Sequence, residues 1–284
     1  MLKWVASCFW VFCLLVSGEP LKVRIMAANL TSDRYQSYSP DNGNHSNPEG
    51  AGARILKALK PDVVLVQEFK TTVPLRQWVN GCLGPEYHFM CEPEVGLPNG
   101  IISRFPIVAS GSWDDPFLDN RDFAWAELKL PGGESLWVVS VHFHSKKATT
   151  RGNEAAALAG FMKQRIPAGA MRVVGGDFNT RALGEESLRR FSKQVVLPER
   201  MPVDGDGNPF TNGPRNRPYD RVLTGRVLDG LEVPVVVGGK SFKDGLVFDS
   251  RVFEPLEKVQ PVQKGDSGVK FMQHMAVVRD FLIE

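Results

Sequence analysis

An excess of charge of either sign is missing from this sequence. Thirty-four Lys and Arg residues face 32 Asp and Glu residues, which gives a formal net charge of +2. Attraction of the whole molecule to a polyanion is thereby excluded, so any affinity for nucleic acid must come from a local basic patch. The chain also lacks a fixed short repeat and a linker that would divide it. A hydrophobic content of 43% with 23% charged residues excludes a disordered chain or a fibre and indicates a globular protein.

Long apolar runs are scarce, and the most apolar one lies at the start of the chain. Lys3 precedes an apolar segment at residues 4–16, and Val16, Ser17 and Gly18 then supply small residues. This order predicts a signal peptide at residues 1–18 and one domain at residues 19–284, exported to the periplasm or the extracellular space. An uncleaved anchor is the alternative. No other segment is apolar enough to cross a bilayer, so we expect no stable membrane span and a monomer.

Cysteine is rare too, with four residues in 284. Two of them fall in the predicted signal peptide, which leaves Cys82 and Cys91. In an exported protein such a pair either forms a disulfide across a short loop or remains as two free thiols, and the spacing does not decide between them.

Apolar runs alternate with helical patterns along the rest of the chain. Strands are predicted at residues 23–30, 62–69, 99–108, 123–130, 135–144, 171–180, 219–224, 232–237 and 275–283. Helices are predicted at residues 51–60, 153–166 and 185–195. The run DVVLVQEF is almost continuously apolar, which is typical of a strand covered on both faces. The order of elements indicates sheets packed together with helices outside, an α/β (α+β) arrangement.

The stretch VVGGDFNT, residues 173–180, places Asp177 and Asn179 two positions apart at the end of such a strand. In extended chain these side chains point to the same face. An Asx turn after the strand is the alternative interpretation, because Asp and Asn favour turns.

Other predicted strands also carry a polar residue at one end. Acids, amides and histidines arriving from separate strands can form one hydrated metal site with groups that transfer protons. The oxygen-rich set suits a hard ion such as Mg²⁺ better than Zn²⁺. The residues are Asn29, Glu68, His142, Asp177 with Asn179, Asp220 and His274.

Taken in order, these segments resemble the endonuclease/exonuclease/phosphatase superfamily. The segments are VVLVQEF, NGIISRFPI, VVSVHFHS, VVGGDFNT, YDRVL and QHMAVVRDF, and the likeness runs through nearly all of residues 19–284. The resemblance implies a four-layered sandwich, with two mixed β-sheets packed face to face and helices on the outside. It also implies hydrolysis of phosphoester bonds that depends on Mg²⁺ or Mn²⁺.

The resemblance also implies roles for single residues. Glu68 matches the principal metal ligand, with Asn29 beside it, and Asp177 matches the residue that aligns or deprotonates the attacking water. Asn179 would hold the phosphate or that water, and His142 would stabilise the charge that develops on phosphorus.

At the end of the chain, Asp220 would orient His274, which would contact the phosphate and transfer a proton. Gln273 stands where the family commonly has an acid before its last histidine. Its amide oxygen is predicted to be a weak metal ligand, so we expect weaker metal affinity or an altered metal preference.

Basic residues around these strands are candidates for substrate binding. Lys146 and Arg151 follow the strand that carries His142, and Arg217 precedes Asp220. They suit phosphate oxygens, although a solvated basic loop is the alternative. His144 is a weaker candidate for the site.

The sequence therefore predicts an exported, metal-dependent phosphodiesterase, with DNA or RNA as the first expected substrate. A phosphatase or phosphodiesterase that acts on a lipid, an inositol or another small phosphate ester is the alternative among enzymes. A catalytically weakened binding protein of the same fold is the alternative from another class.

Overall fold

Two β-sheets pack face to face in the computed structural model, one with seven strands and one with five. The structure describes residues 19–30, 50–71, 73–93, 95–269 and 272–284. The predicted signal peptide, residues 1–18, lies outside the described residues. Within the described part of the chain, no helix has the length and apolar character needed to cross a membrane.

The first sheet is built around the final strand of the chain and the parallel pair β1 and β2. Its strands, in spatial order, are β3 (His88–Cys91), β4 (Gly100–Ser103), β2 (Val63–Gln67), β1 (Leu21–Asn29) and β14 (Ala276–Ile283), and the far side of β14 pairs with β10 (Glu232–Val233) and β13 (Leu246–Phe248).

In the second sheet, the strands lie side by side in the same order in which they follow one another along the chain. Its members are β5 (Ile107–Trp113), β6 (Phe123–Lys129), β7 (Ser135–His142), β8 (Met171–Asp177) and β9 (Asp220–Thr224). Only β7 and β8 run parallel to each other. A separate hairpin joins β11 (Val235–Val237) and β12 (Lys240–Phe242).

Helices lie against the outer faces of both sheets. They are α1 (Ala51–Leu59), α2 (Leu75–Cys82), α3 (Ala148–Arg165), α4 (Glu186–Arg189) and α5 (Arg226–Asp229), with short 3-10 turns at Leu256–Lys258 and Asp266–Gly268. Side chains of the central strands alternate between the two cores: Val138 lies in the core between the sheets and Val139 in the core under α3. The predicted four-layered α/β sandwich is confirmed.

At residues 99–108 the sequence predicts a strand interrupted by Ser103, Arg104 and Pro106. In the structure this interruption separates two strands that belong to different sheets. β4 ends at Ser103, and β5 begins at Ile107. The Ser103 hydroxyl donates to the Phe105 carbonyl and accepts from the Phe105 amide, which turns the chain out of the first sheet. Pro106 follows and has no amide to donate to a ladder. The interruption therefore carries the chain from one sheet to the other.

Other boundaries also differ from the predictions. α3 begins five residues before its predicted start, whereas α4 covers only four of the eleven residues predicted at 185–195. The segment predicted at 232–237 is divided between β10 and β11, because Pro234 cannot continue a ladder. Helix α2 and strand β3 were not predicted.

Cys82 and Cys91 are free cysteines, which settles the alternative between a disulfide and two thiols. Burial raises the pKa of both thiols to about 12. They are therefore neutral side chains in the core around β3 and α2, with little thiolate to react.

Glycine lets the two sheets approach each other at one end. A Cβ on Gly175 would lie 2.4 Å from Leu65 Cδ1 of the facing sheet, and one on Gly176 would lie 2.5 Å from Gln67 Nε2 and 2.2 Å from the Val141 carbonyl. Gly176 also has φ +136°, which favours glycine.

Gln67 uses the space that these glycines leave. Its Nε2 donates to Ser140 Oγ of the second sheet at 2.8 Å, and Ser140 Oγ donates to the Val66 carbonyl of the first at 2.7 Å. The two sheets are thus hydrogen-bonded across their interface, directly beneath the strand ends that carry Glu68 and Asp177.

Substituting Gly176→Ala is expected to destabilise the protein by more than about 3 kcal/mol, because the methyl group meets a backbone carbonyl at a strained φ. Gly160→Ala is the matched control: it lies in α3 with open space around its Cα, and we expect a change between zero and about 1 kcal/mol of added stability. Urea unfolding measures both, and equal stabilities of the two variants would contradict this account of the close approach.

Glu92 anchors the segment between β3 and β4. This residue is 4% exposed, and its Oε2 accepts from the amide of Asn99 at 2.7 Å. Burial raises the pKa of Glu92 to about 7, against the opposing effect of that hydrogen bond. The folded protein therefore binds this proton more tightly than the unfolded chain does. The resulting stabilisation is complete below about pH 4.5 and is lost as the pH rises to about 7.

Glu92→Gln is expected to remove that pH dependence while keeping an oxygen acceptor. Between pH 4.5 and pH 8 the free energy of unfolding of the wild type should fall by up to about 3 kcal/mol more than that of the variant. Urea titrations at four pH values in that range give the comparison. Parallel pH profiles would show that Glu92 is already ionised at low pH in the folded protein.

Candidate active site

The ends of the two parallel strand pairs meet at one edge of the sandwich. Parallel register places Asn29 of β1 beside Gln67 of β2, and His142 of β7 beside Asp177 of β8. Glu68 follows β2 directly with φ 52°, an uncommon conformation for a residue other than glycine. Such strain is commonly found where a side chain must be directed into a site.

Asp220 and His274 reach the same edge from the opposite direction. Asp220 begins β9, which is antiparallel to β8 and pairs Asp220 with Asp177. His274 lies two residues before β14, which is antiparallel to β1. All six predicted strand-end positions therefore lie at this edge, four at the ends of strands and two at or just before their starts.

Asp177 lies at the centre of the cluster and is 1% exposed. Its Oδ2 accepts from the side-chain amides of Asn29 at 3.2 Å and Asn179 at 3.0 Å, and lies 3.3 Å from His142 Nε2 and 3.8 Å from His274 Nε2. Burial raises the pKa of Asp177 to about 7; nearby Asp220 and Glu68 add to the rise, and His274 opposes it. Asp177 is thus close to accepting a proton near neutrality.

Asn179 combines both interpretations of the VVGGDFNT stretch. Its backbone amide donates to Asp177 Oδ1 at 2.8 Å, which is an Asx turn, and its φ is 50°. Its side-chain amide donates both to Asp177 Oδ2 and to the Phe143 carbonyl. The turn is therefore the device that brings the amide beside the carboxylate.

The two histidines of the cluster hold protons differently. His274 Nδ1 lies 3.0 and 3.1 Å from the two oxygens of Asp220. Burial opposes protonation of His274, but Asp220 and Asp177 together outweigh it and raise the pKa of this imidazole to about 9. No hydrogen-bond partner reaches Nδ1 of His142 within the described part of the chain. Although its Nε2 lies 3.3 Å from Asp177 Oδ2, burial, together with the charges of Arg121 and His274, lowers the pKa of His142 well below the ordinary value. His274 is therefore an imidazolium near neutrality and His142 a neutral imidazole.

The donor set of this cluster suits a divalent cation. Ligand-type atoms of Asp177, Asp220 and His274 lie within 4.8 Å of one another, and while His274 is protonated the two carboxylates are the members of this group that can bind a cation. Glu68 adds a carboxylate on the facing sheet, where Asn29 Nδ2 lies 3.3 Å from Glu68 Oε1. Burial is the main reason for the raised pKa of Asp177, and repulsion from Asp220 and Glu68 adds to it; a cation would relieve that repulsion.

The model of the endonuclease/exonuclease/phosphatase family matches residues 42–236, which is more than half of the chain. The chain belongs to this family. Its members are phosphoric ester hydrolases that depend on divalent metals, so the family and the class of reaction predicted from the sequence are confirmed. No curated protein matches the chain.

Solved structures share the fold. An endonuclease/exonuclease/phosphatase protein of Beutenbergia cavernae has a TM-score of 0.62 at 16% identity, covering 92% of this chain and 72% of its own. Truncated TDP2 of Caenorhabditis elegans has a TM-score of 0.61 at 15% identity, covering 92% and 98%. Beta toxin of Staphylococcus aureus has a TM-score of 0.55 at 13% identity, covering 90% and 99%. At identities this low, the likeness is one of fold.

One predicted substrate-binding residue of this family member, Arg151, is buried and engaged elsewhere. Arg151 is 1% exposed; it forms an ion pair with Glu185 and donates to the His144 carbonyl, so it braces the loop after β7. This corrects the prediction that Arg151 binds substrate. Gln273, the residue before His274, is exposed and lines a neighbouring cavity, and its role as a weak metal ligand stays a prediction.

The remaining basic candidates lie around the cluster. Lys146 is exposed on the loop that follows β7, and Arg217 is half-buried in the same cavity as Gln273. His144, the weaker candidate, accepts at Nδ1 from the Lys146 amide at 3.0 Å and shapes this loop.

Arg121 is a residue that the sequence analysis missed. It is 6% exposed, and its guanidinium donates to the carbonyls of His142 at 2.5 Å and Phe143 at 3.3 Å. The Phe143 carbonyl also accepts from Asn179. Arg121 therefore fixes the backbone that carries His142 and supports Asn179, as a positioning residue. Arg121 stands just before β6, and neither composition nor periodicity of the sequence indicates that an arginine at this position is buried.

Arg121→Ala is expected to lower kcat for bis(p-nitrophenyl) phosphate by about 10- to 100-fold, because a displaced His142 no longer faces the reacting group. It should also cost about 2–4 kcal/mol of stability, since two buried carbonyls lose a charged donor. Arg121→Lys keeps the charge and one donor and should recover part of both losses. Steady-state kinetics and urea unfolding test this, and an alanine variant equal to wild type in both would rule out the positioning role.

Proposed function

We propose that this protein is an exported phosphodiesterase that cleaves DNA or RNA with Mg²⁺ or Mn²⁺. The observation that carries the proposal is the buried cluster around Asp177, which both sheets contribute to and which holds a charged His274–Asp220 pair. Export is supported by the composition of residues 1–18, where a basic start precedes an apolar run and small residues.

Asp177 positions the attacking water in this proposal. Its carboxylate is fixed by the side-chain amides of Asn29 and Asn179 at Oδ2 and by the backbone amide of Asn179 at Oδ1. A carboxylate held in this way aligns the water for in-line attack and accepts its proton.

The histidines act on the phosphoryl group. Neutral His142 and charged His274 both direct Nε2 towards Asp177, so a phosphate at this point lies between two imidazole donors. Asp220 on Nδ1 fixes the tautomer of His274 and keeps Nε2 protonated. Such donors stabilise the charge that accumulates on the phosphoryl oxygens during attack.

Glu68 and Asn29, with the oxygens of Asp177 and Asp220, would hold the cation. Carboxylate and amide oxygens are hard ligands, which favours Mg²⁺ or Mn²⁺ over softer metals. When bound, a divalent cation neutralises charge on a phosphodiester and makes water more acidic.

Basic side chains around the cluster support nucleic acid as the substrate. Lys146 and Lys147 are exposed just after β7, and Arg217 lines the neighbouring cavity three residues before Asp220. This local charge supplies the attraction to a polyanion that the net charge of +2 does not. The carboxylates and histidines brought together around Asp177 favour an enzyme over a weakened binding protein.

Asp177→Asn is expected to reduce hydrolysis of plasmid DNA, RNA and bis(p-nitrophenyl) phosphate by about 10³-fold, because the amide cannot accept the proton of water. His274→Ala should lose about as much, and EDTA should abolish wild-type activity. Asp206→Asn is the matched control, since this carboxylate is exposed on the loop between α4 and β9.

The readout is the rate of phosphodiester cleavage with Mg²⁺, Mn²⁺ or EDTA. If Asp177→Asn and Asp206→Asn are equally active, or if EDTA has no effect, the proposed function is wrong. Cleavage of the small diester without any cleavage of DNA or RNA would reject nucleic acid alone.

A further inference from the structure

A cavity of about 660 Å³ opens directly beside the cluster. Its size is that of a site for a small ligand or for part of a larger one. Polar and aromatic groups on its walls include Asn216, Arg217, Tyr219, Arg251 and Gln273. None of these residues takes part in the contacts around Asp177.

The wall of the cavity is continuous with the backbone of the active site. Gln273 precedes His274, and Tyr219 precedes Asp220. The Tyr219 ring lies 5.8 Å from the His274 ring between centroids. Asn212, another wall residue, forms a backbone bridge with His274. A phosphate at the imidazoles would therefore have its neighbouring chemical group at the mouth of this cavity.

The charge of the cavity is opposite to that of the cluster. Two arginines and no acidic residue line it among the described residues. Arg251 is held by Asp249, with Nε and Nη2 at 2.8 and 2.6 Å from its carboxylate oxygens. Arg217 differs, because its side chain has no hydrogen bond or ion pair within the part of the chain that the structure describes. Only its backbone is bonded: the amide donates to Asn212 Oδ1 at 2.8 Å, and the carbonyl accepts from the amides of Thr211 and Asn212.

A guanidinium without a counter-ion in an acid-free cavity is suited to an anion, above all a phosphate. We infer that this cavity binds a second phosphate of the substrate, adjacent to the scissile one, with Arg217 as its main ligand. The inference rests on the proposed function for the position of the scissile phosphate. In a nucleic acid, the second phosphate is the next one along the strand. Because the cavity is lined by arginines, it should disfavour a phosphodiester that carries a cationic group next to the scissile phosphate.

Binding of product-like ligands tests the cavity without catalysis. We expect thymidine 3′,5′-bisphosphate to bind at least about tenfold more tightly than thymidine 3′- or 5′-monophosphate, because only the bisphosphate can occupy both positions. Arg217→Ala should remove this advantage, and Arg217→Lys should keep part of it. Arg190→Ala is the matched control, an exposed arginine far from the cavity. Isothermal titration with Mg²⁺ present gives the affinities.

Equal affinity of the bisphosphate and both monophosphates for the wild type would overturn the inference. So would an advantage that Arg217→Ala retains in full. If an inositol bisphosphate shows the Arg217-dependent advantage and the thymidine bisphosphate does not, the second phosphate is supported and belongs to a small polyphosphate.

Dinucleotides separate this inference from the proposed function. Of pTpT and TpTp, one places its terminal phosphate in the cavity. The wild type should cleave TpT, which has no terminal phosphate, with a KM about tenfold higher than the KM of that dinucleotide. Arg217→Ala should make the two KM values equal. Cleavage of all three with the same KM overturns the second-phosphate site and leaves the proposed function standing. Suppose instead that the bisphosphate binds more tightly in an Arg217-dependent way, but no dinucleotide or nucleic acid is cleaved. The second-phosphate site then stands, and the proposed function is wrong.

Discussion

The close approach of the two sheets at one end is the constraint on which the rest of the structure depends. Glu68 belongs to one sheet and Asp177 to the other, and the Asn29 amide spans the two at 3.3 and 3.2 Å. Those distances are near the limit of a hydrogen bond, so a small separation of the sheets breaks the cluster. Gly175 and Gly176 remove the side chains that would hold the sheets apart. Fold stability and site geometry therefore depend on the same two residues.

Burial of this edge then determines the charge state of each group. Two histidines with the same ordinary pKa become different acids because their neighbours differ. His274 is bonded to Asp220, whereas His142 lies near the cations Arg121 and His274. This difference places a proton donor and a neutral hydrogen-bond donor on either side of one carboxylate. The acidic excess that remains is the electrostatic reason for a cation in the site.

The sequence was sufficient to predict the residues whose position follows from the apolar runs. An apolar strand must be buried, so the polar residue at its boundary lies at the sheet edge, and the parallel ladder aligns His142 with Asp177. Residues that do not lie at the boundary of an apolar strand could not be predicted in this way. Arg151 has the composition of a surface loop, yet it faces inward on the first turn of α3. Arg121 acts on carbonyls more than twenty positions away, a contact that no local pattern encodes.

Recognition and chemistry are built from different parts of the chain. Strand ends hold the cluster, while the cavity with Arg217 is formed by the loops before β9 and β14. Loops tolerate substitution better than strands, so substrate preference can change while the cluster stays intact. The two parts still touch, because Tyr219 and Gln273 are the chain neighbours of Asp220 and His274. The phosphate that we infer for the cavity would therefore lie against the chain neighbours of Asp220 and His274, so recognition and chemistry share one stretch of backbone on each side.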